Sequence, residues 1–351
     1  MMESSSFIFF FTFLFALFPS IPAPLANGYP RTRYNETEAR QLLNLAAGAY
    51  AISPQGCINK TFGNNAHLYT IFTSNNLVCD IVESSCASYT LVNDQERRIY
   101  VVFRGTKTDQ QLLFEGWQSL APKSDFFGVG SANKYFSDAL EVLWPNVQQV
   151  FTDQRYQNYD VTFTGHSLGA ALAALAALKT VINGYKDGSR IHLVTFGEPR
   201  VGDIFLARKI DQVLPYAFRV VHADDIVPHL PKCAKDNNSP LIRLNPSGSR
   251  PCDPNAISES YHHGIEIWYP QQMGPNDLYY ECLGTPTNED FACSDSLIFH
   301  LHKYKTYIAA HRYYFEHKVP PYGKSGCTTD FPMNGQTDDL PDTGIPPIDN
   351  P

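Results

Sequence analysis

The segment Gly165-His166-Ser167-Leu168-Gly169 constrains this chain more than any other. It follows a β-rich run ending at Thr164 and opens the strongly helical run that starts at Leu168. A serine between two glycines at a strand-to-helix junction requires a turn so tight that side chains on its flanks would strike neighbouring backbone. Such a turn holds its hydroxyl at the carboxyl end of a strand. The first N–H groups of the helix point at the same place and can hold developing negative charge.

The surrounding pattern is an alternation of strands and helices. Helical spacing covers Thr37 to Ala51, Asn133 to Gln149, Leu168 to Ile182, Asp203 to Val213, and a long stretch from Ser294 to His317. Strand-like runs occupy Arg98–Phe103, Val161–Thr164, Ile191–Phe196, Tyr216–Val221 and Ile265–Tyr269. This alternation predicts an α/β architecture, a mostly parallel sheet with helices on both faces. In such sheets ligands bind at the carboxyl ends of the strands.

The predicted division is a signal peptide at 1–26, one domain at 27–318, and a Pro- and Asp-rich tail at 319–351. The leader has an apolar run from Phe7 to Phe18, followed by small residues and prolines; its n-region lacks Lys and Arg. That run is too short to span a bilayer comfortably, and no other segment approaches a transmembrane length. Secretion is therefore expected. The eight cysteines agree with it: no two form a CxxC pair, which argues for disulfides over zinc. Short loops favour Cys79–Cys86, Cys233–Cys252 and Cys282–Cys293, which leaves Cys57–Cys327 to tie the domain's ends together. Sequons at Asn35 and Asn59, and a weaker one at Asn237, predict glycosylation of an exported chain. A net charge of −8 without a basic cluster argues against nucleic acid as a partner.

A serine hydroxyl attacks only when a base takes its proton, and the base is usually a histidine oriented by a carboxylate. Asp224 and Asp225 both follow the Tyr216–Val221 strand, and His262 and His263 both precede the Ile265–Tyr269 strand. Each pair leaves its choice open. The histidines at 300, 302, 311 and 317 fall on the long terminal helix and indicate no site. The turn Arg104-Gly105-Thr106 after the Arg98–Phe103 strand offers an oxyanion donor at Thr106, to complement the N–H of Leu168. Each such donor is worth roughly 3–4 kcal/mol to the transition state. Metal binding by His262 and His263 lacks supporting ligands, so neither metal nor cofactor is expected.

Several blocks in order resemble the class 3 (fungal-type) lipases of the α/β-hydrolase superfamily. They are Val101 to Thr106, Thr164 to Ala170, Thr195 to Gly202, Asp225-Ile226-Val227-Pro228, and His262 with Glu266 and Trp268. The resemblance implies a disulfide-stabilised α/β-hydrolase fold and a carboxylic ester hydrolase. It selects Asp225 and His262 as partners of Ser167, and Thr106 as the oxyanion residue. It reads Phe196 to Gly202 as structural. The implied activity is that of a secreted triacylglycerol or acylglycerol lipase. The alternatives are a phospholipase, another carboxylesterase, or an inactive lipid- or glycan-binding relative. Leu112, Leu113, Phe114 and Trp117 are candidates for a lid or acyl contacts, in a pattern that departs from the family's. An apolar lid would make contact with lipid surfaces.

Overall fold

The computed structural model describes residues 32–79, 85–106, 122–244 and 248–333. Its main sheet has eight strands: β1 (Tyr69–Val78), β2 (Ser85–Asn93), β3 (Arg98–Phe103), β4 (Asp160–His166), β5 (Ile191–Phe196), β6 (Ala217–His222), β7 (Ile265–Tyr269) and β8 (Tyr280–Cys282). They lie in sequence order across the sheet. The five strands from β3 to β7 run parallel, and antiparallel pairs flank them at both edges. The expected mostly parallel sheet is therefore present.

Alternating side chains of β3 explain why both faces are covered. Ile99, Val101 and Phe103 enter one core, where helices α3 (Lys134–Thr152) and α4 (Leu168–Ile182) pack. Tyr100 and Val102 enter the other, against α1 (Glu36–Gly48). A strand buried on both sides needs apolar residues throughout, and this one has them. Helix α4 is buried along most of its length, which its Ala- and Leu-rich sequence permits. Helices α2 (Gln55–Phe62) and α5 (Ile204–Val213) are the other helices before β7 among the described residues.

All four expected disulfides are formed. Beyond β8, the chain departs from expectation. The stretch read as one helix from Ser294 to His317 contains only a short helix, α6 (Tyr304–Arg312), after two single 3₁₀ turns. Asp295 pins the start, because its carboxylate is tied to Lys235 (2.6 Å) and to the N–H of Cys252 (3.2 Å). The end is cut by a hairpin pairing Tyr313–Tyr314 with His317–Lys318. Its corner puts Phe315 and Glu316 at positive φ, which glycine and asparagine usually supply. The boundary expected at residue 318 also falls inside ordered structure. Val319–Lys324 forms α7, with Val319 to Gly323 buried. The Tyr322 hydroxyl donates to Asn44 Oδ1 (3.1 Å) on α1, and Cys327 closes onto Cys57. The predicted leader, the segment holding Leu112, Leu113, Phe114 and Trp117, and residues 334–351 lie outside the described residues.

Candidate active site

Ser167 sits at the end of β4, with φ 63° and ψ −129°, immediately before α4. Few non-glycine residues adopt this conformation, and such strain persists only where surrounding structure enforces it. Enforcement is visible. The Ser167 N–H donates to the Phe196 carbonyl at the end of β5 (2.9 Å). Gly165 and Gly169 let the strand and the helix start meet: a Cβ on Gly165 would lie 2.8 Å from the Ala170 nitrogen, and one on Gly169 2.7 Å from the Arg104 carbonyl carbon. The residue is almost fully buried.

The turn after β3 abuts this elbow. A Cβ on Gly105 would come within 3.1 Å of the Ser167 Cβ and 2.6 Å of the His166 carbonyl oxygen. Among the described residues, the buried Thr106 hydroxyl has no hydrogen-bond partner. A buried hydroxyl lacking a partner is costly, and a substrate oxygen at this place would relieve it. Leu168 opens α4 next to the serine.

Asp225 follows β6 and is fully buried. Its carboxylate accepts from the Val227 N–H (2.8 Å) and the Tyr314 hydroxyl (2.5 Å). Its remaining partner is an imidazole: His311 Nδ1 lies 2.9 and 3.1 Å from the two carboxylate oxygens. With the proton on Nδ1, Nε2 of His311 is left as the basic nitrogen. The His311 ring stacks on that of His166, with centroids 4.8 Å apart, which brings it beside the residue preceding the serine. Burial and the charge of Asp225 push the Tyr314 phenol well above its ordinary pKa, so it stays a donor.

His166 holds His311 from behind. Its Nε2 donates to the His311 carbonyl (2.8 Å), because a carbonyl can only accept. Its Nδ1 then accepts from the Tyr50 hydroxyl (2.9 Å). Burial, reinforced by the neighbouring His311, holds the His166 pKa well below the usual histidine range, so this ring is neutral.

The structure does not bring His262 to Asp225. The His262 Nε2–H donates to the Pro228 carbonyl (2.6 Å), and its own N–H donates to Glu289 (2.9 Å). Burial, with Arg219 and Arg200 nearby, keeps its pKa well below normal. It braces the loop that follows Asp225. His263 is equally committed, bonded to Glu198 at 2.6 Å. The sequence placed His311 on a long terminal helix without a site, yet it is the histidine that meets Asp225. The chain breaks into a hairpin just after this histidine, which swings Tyr314 and His311 onto the same carboxylate.

The stretch Phe196 to Gly202 acts as a frame. Glu198 joins Thr195 (2.6 Å) to His263, and Arg200 forms a buried two-point pair with Glu289 (2.7 and 2.8 Å). Gly197 has φ 57°, and a Cβ there would lie 2.8 Å from both Asp225 Oδ2 and His311 Nδ1. Gly197→Ala is therefore expected to push the acid and base apart. A displacement of this kind costs about 10²-fold in kcat, which steady-state assays with a p-nitrophenyl ester would read. A wild-type kcat in that variant would show that the frame tolerates the methyl group.

The sheet order, the serine between β4 and α4, and the acid after β6 define an α/β-hydrolase. The profile of the family described as Lipase (class 3) matches residues 100–235. The chain is 48% identical over 303 residues to "Lipase ZK262.3" of Caenorhabditis elegans, covering 86% of this chain and 85% of that protein. A lipase of Rhizomucor miehei is 36% identical over 148 residues, 40% of this chain and 39% of that protein. The crystal structure of a lipase from Rhizopus microsporus var. chinensis superimposes with a TM-score of 0.59 at 24% identity, over 85% of this chain and 92% of that one. The chain belongs to the class 3 lipase family, and its enzymatic class is carboxylic ester hydrolase.

Proposed function

We propose that this protein is an exported serine lipase that hydrolyses acylglycerols, with Ser167 as nucleophile, His311 as general base and acid, and Asp225 as the carboxylate that orients it. The observation that carries this reading is the buried Asp225–His311 hydrogen bond at 2.9 Å, stacked against the residue before the strained serine. The Ser167 hydroxyl loses its proton to His311 Nε2 as it attacks the ester carbonyl. The resulting anion is held by the Leu168 N–H and by Thr106. His311 then gives its proton to the departing alkoxide, which leaves as the alcohol. Water, activated by the same imidazole, releases the acid and restores the serine. Asp225 stays ionised throughout and stabilises the imidazolium.

Export is supported by the leader-like run from Phe7 to Phe18 and by the four disulfides. Asn35 and Asn59 are both exposed, as glycan acceptors must be. An acylglycerol substrate is supported by kinship: a protein named "Secreted mono- and diacylglycerol lipase 1" from Fusarium solani is 39% identical over 98 residues, 27% of this chain and 28% of that one. Contact with lipid surfaces through the segment holding Leu112 to Trp117 is part of the same proposal. Ser167→Ala is expected to abolish turnover of p-nitrophenyl butyrate and tributyrin, by about 10⁶-fold in kcat, with an unchanged thermal transition. Substantial residual hydrolysis by that variant would falsify the nucleophile. A rate on tributyrin that does not rise above its solubility limit would remove the surface-contact element alone.

A further inference from the structure

A cavity of about 650 Å³ opens beside the Asp225–His311 pair. Ile226 follows the acid in sequence, and Tyr307 precedes the base by one helical turn; both line the cavity. This end is apolar, formed by the packed cluster of Ile226, Leu230 and Tyr307 with Phe299, and by the exposed side chain of Ile298. The volume falls within the range of small-molecule sites, roughly 300–1,000 Å³.

The rest of the lining is mixed and carries four cations. Arg200, Lys232, Lys235 and Arg250 face a single acidic residue, Asp295, on a chain whose net charge is −8. Two of these cations are committed, Arg200 to Glu289 and Lys235 to Asp295. Lys232 and Arg250 are exposed and have no ion-pair partner among the described residues. Between the two ends lies His229, whose ring packs on Phe299 at 4.7 Å. Its buried Nε2 has no hydrogen-bond partner among the described residues.

We propose that this cavity binds a long-chain fatty-acid anion, its alkyl chain against Phe299, Ile298 and Ile226 and its carboxylate at Lys232, Arg250 and His229 Nε2. A neutral acylglycerol would leave the two cations uncompensated, and a small hydrophilic anion would leave the apolar wall wet. An amphiphile with one negative head satisfies both, and Arg250 can hold a carboxylate through two parallel N–H bonds. The tail points toward the catalytic pair. This is the reverse of the pose in which an ester is cleaved, so the site is separate from the one that hydrolysis uses. That the acid is the chain's own product rests on the lipase reading above; the binding does not.

The test is displacement of the fluorescent fatty acid cis-parinarate from wild-type and Ser167→Ala protein. Saturable binding at one site is expected for both, and absence of saturable binding overturns the proposal. Oleate should displace the probe at concentrations at least about tenfold below those needed for oleyl alcohol, which has the same chain without the charge and no ester to cleave. Equal potency of oleyl alcohol overturns a carboxylate site, and stronger displacement by lysophosphatidate than by oleate reassigns it to a phosphate head. The double variant Lys232→Gln/Arg250→Gln should weaken oleate binding about tenfold or more while the fold, read by Tm, is unchanged. If that variant fails to fold, salt decides on the wild type: oleate affinity should fall as ionic strength rises, and indifference to salt sinks the proposal. Loss of the esterase reading through an active Ser167→Ala variant leaves each of these outcomes unaffected.

Discussion

Exchange of His311 for alanine is expected to lower kcat on a p-nitrophenyl ester by about four to six orders of magnitude, the range seen when a member of such a triad is removed. The serine would lose the group that accepts its proton, while Asp225 would keep the Val227 N–H and the Tyr314 hydroxyl. His262→Ala separates this assignment from the one that the sequence favours. That variant would leave the Pro228 carbonyl without its donor, at a cost of about 1–3 kcal/mol in stability. Its rate per folded molecule should stay within about tenfold of wild type, since no proton in the reaction passes through it. If His262→Ala were the inactive variant and His311→Ala the active one, the proposed mechanism would be wrong.

The second large effect concerns stability. Cys57 and Cys327 are 270 residues apart in sequence, and their bond ties the segment just beyond α7 to α2. Closing so long a loop in the unfolded chain is worth roughly 3–5 kcal/mol. Replacing both by alanine should lower Tm by about 10 °C in a domain of this size. The pair Cys79–Cys86, with a separation of 7, is the control and should cost about half as much free energy. Scanning calorimetry on the two double variants compares them directly. A smaller loss for the long loop than for the short one would mean that the C-terminal segment is held by its packing alone.

Much of the sheet was legible because its strands obey simple patterns. Arg98–Phe103, Ile191–Phe196 and Ile265–Tyr269 are short apolar runs, and each is a strand with the expected bounds. Helix α4 begins at Leu168 and ends at Ile182, where its composition says it should. The β1–β2 hairpin was not read. β1 carries Thr70, Ser74, Asn75 and Asn76, and polar edge strands lack the hydrophobic alternation that marks a strand. Ser167 and Asp225 lie on strand ends, where local sequence controls position.

The base does not. His262 stands where a loop before a strand looks suitable, but the choice between two histidines depends on which one reaches Asp225, a matter of long-range packing. One local signal existed. Tyr307, Ala310, His311 and Tyr314 form a buried stripe at helical spacing, and an imidazole in such a stripe needs a partner. The helix-to-hairpin break at Tyr313, which aims that stripe at Asp225, has no glycine or asparagine to announce it.

The order of the parts along the chain bears on when hydrolysis begins. Hydroxyl, oxyanion donors and acid all belong to segments that precede β7, whereas the imidazole arrives on α6, after the sheet's last strand. Translation delivers roughly 5–20 residues each second, and domains assemble as they emerge. A nascent polypeptide reaching only to Tyr269 would thus own a serine with no proton acceptor. On the proposed mechanism, ester cleavage would start only after this closing segment docks.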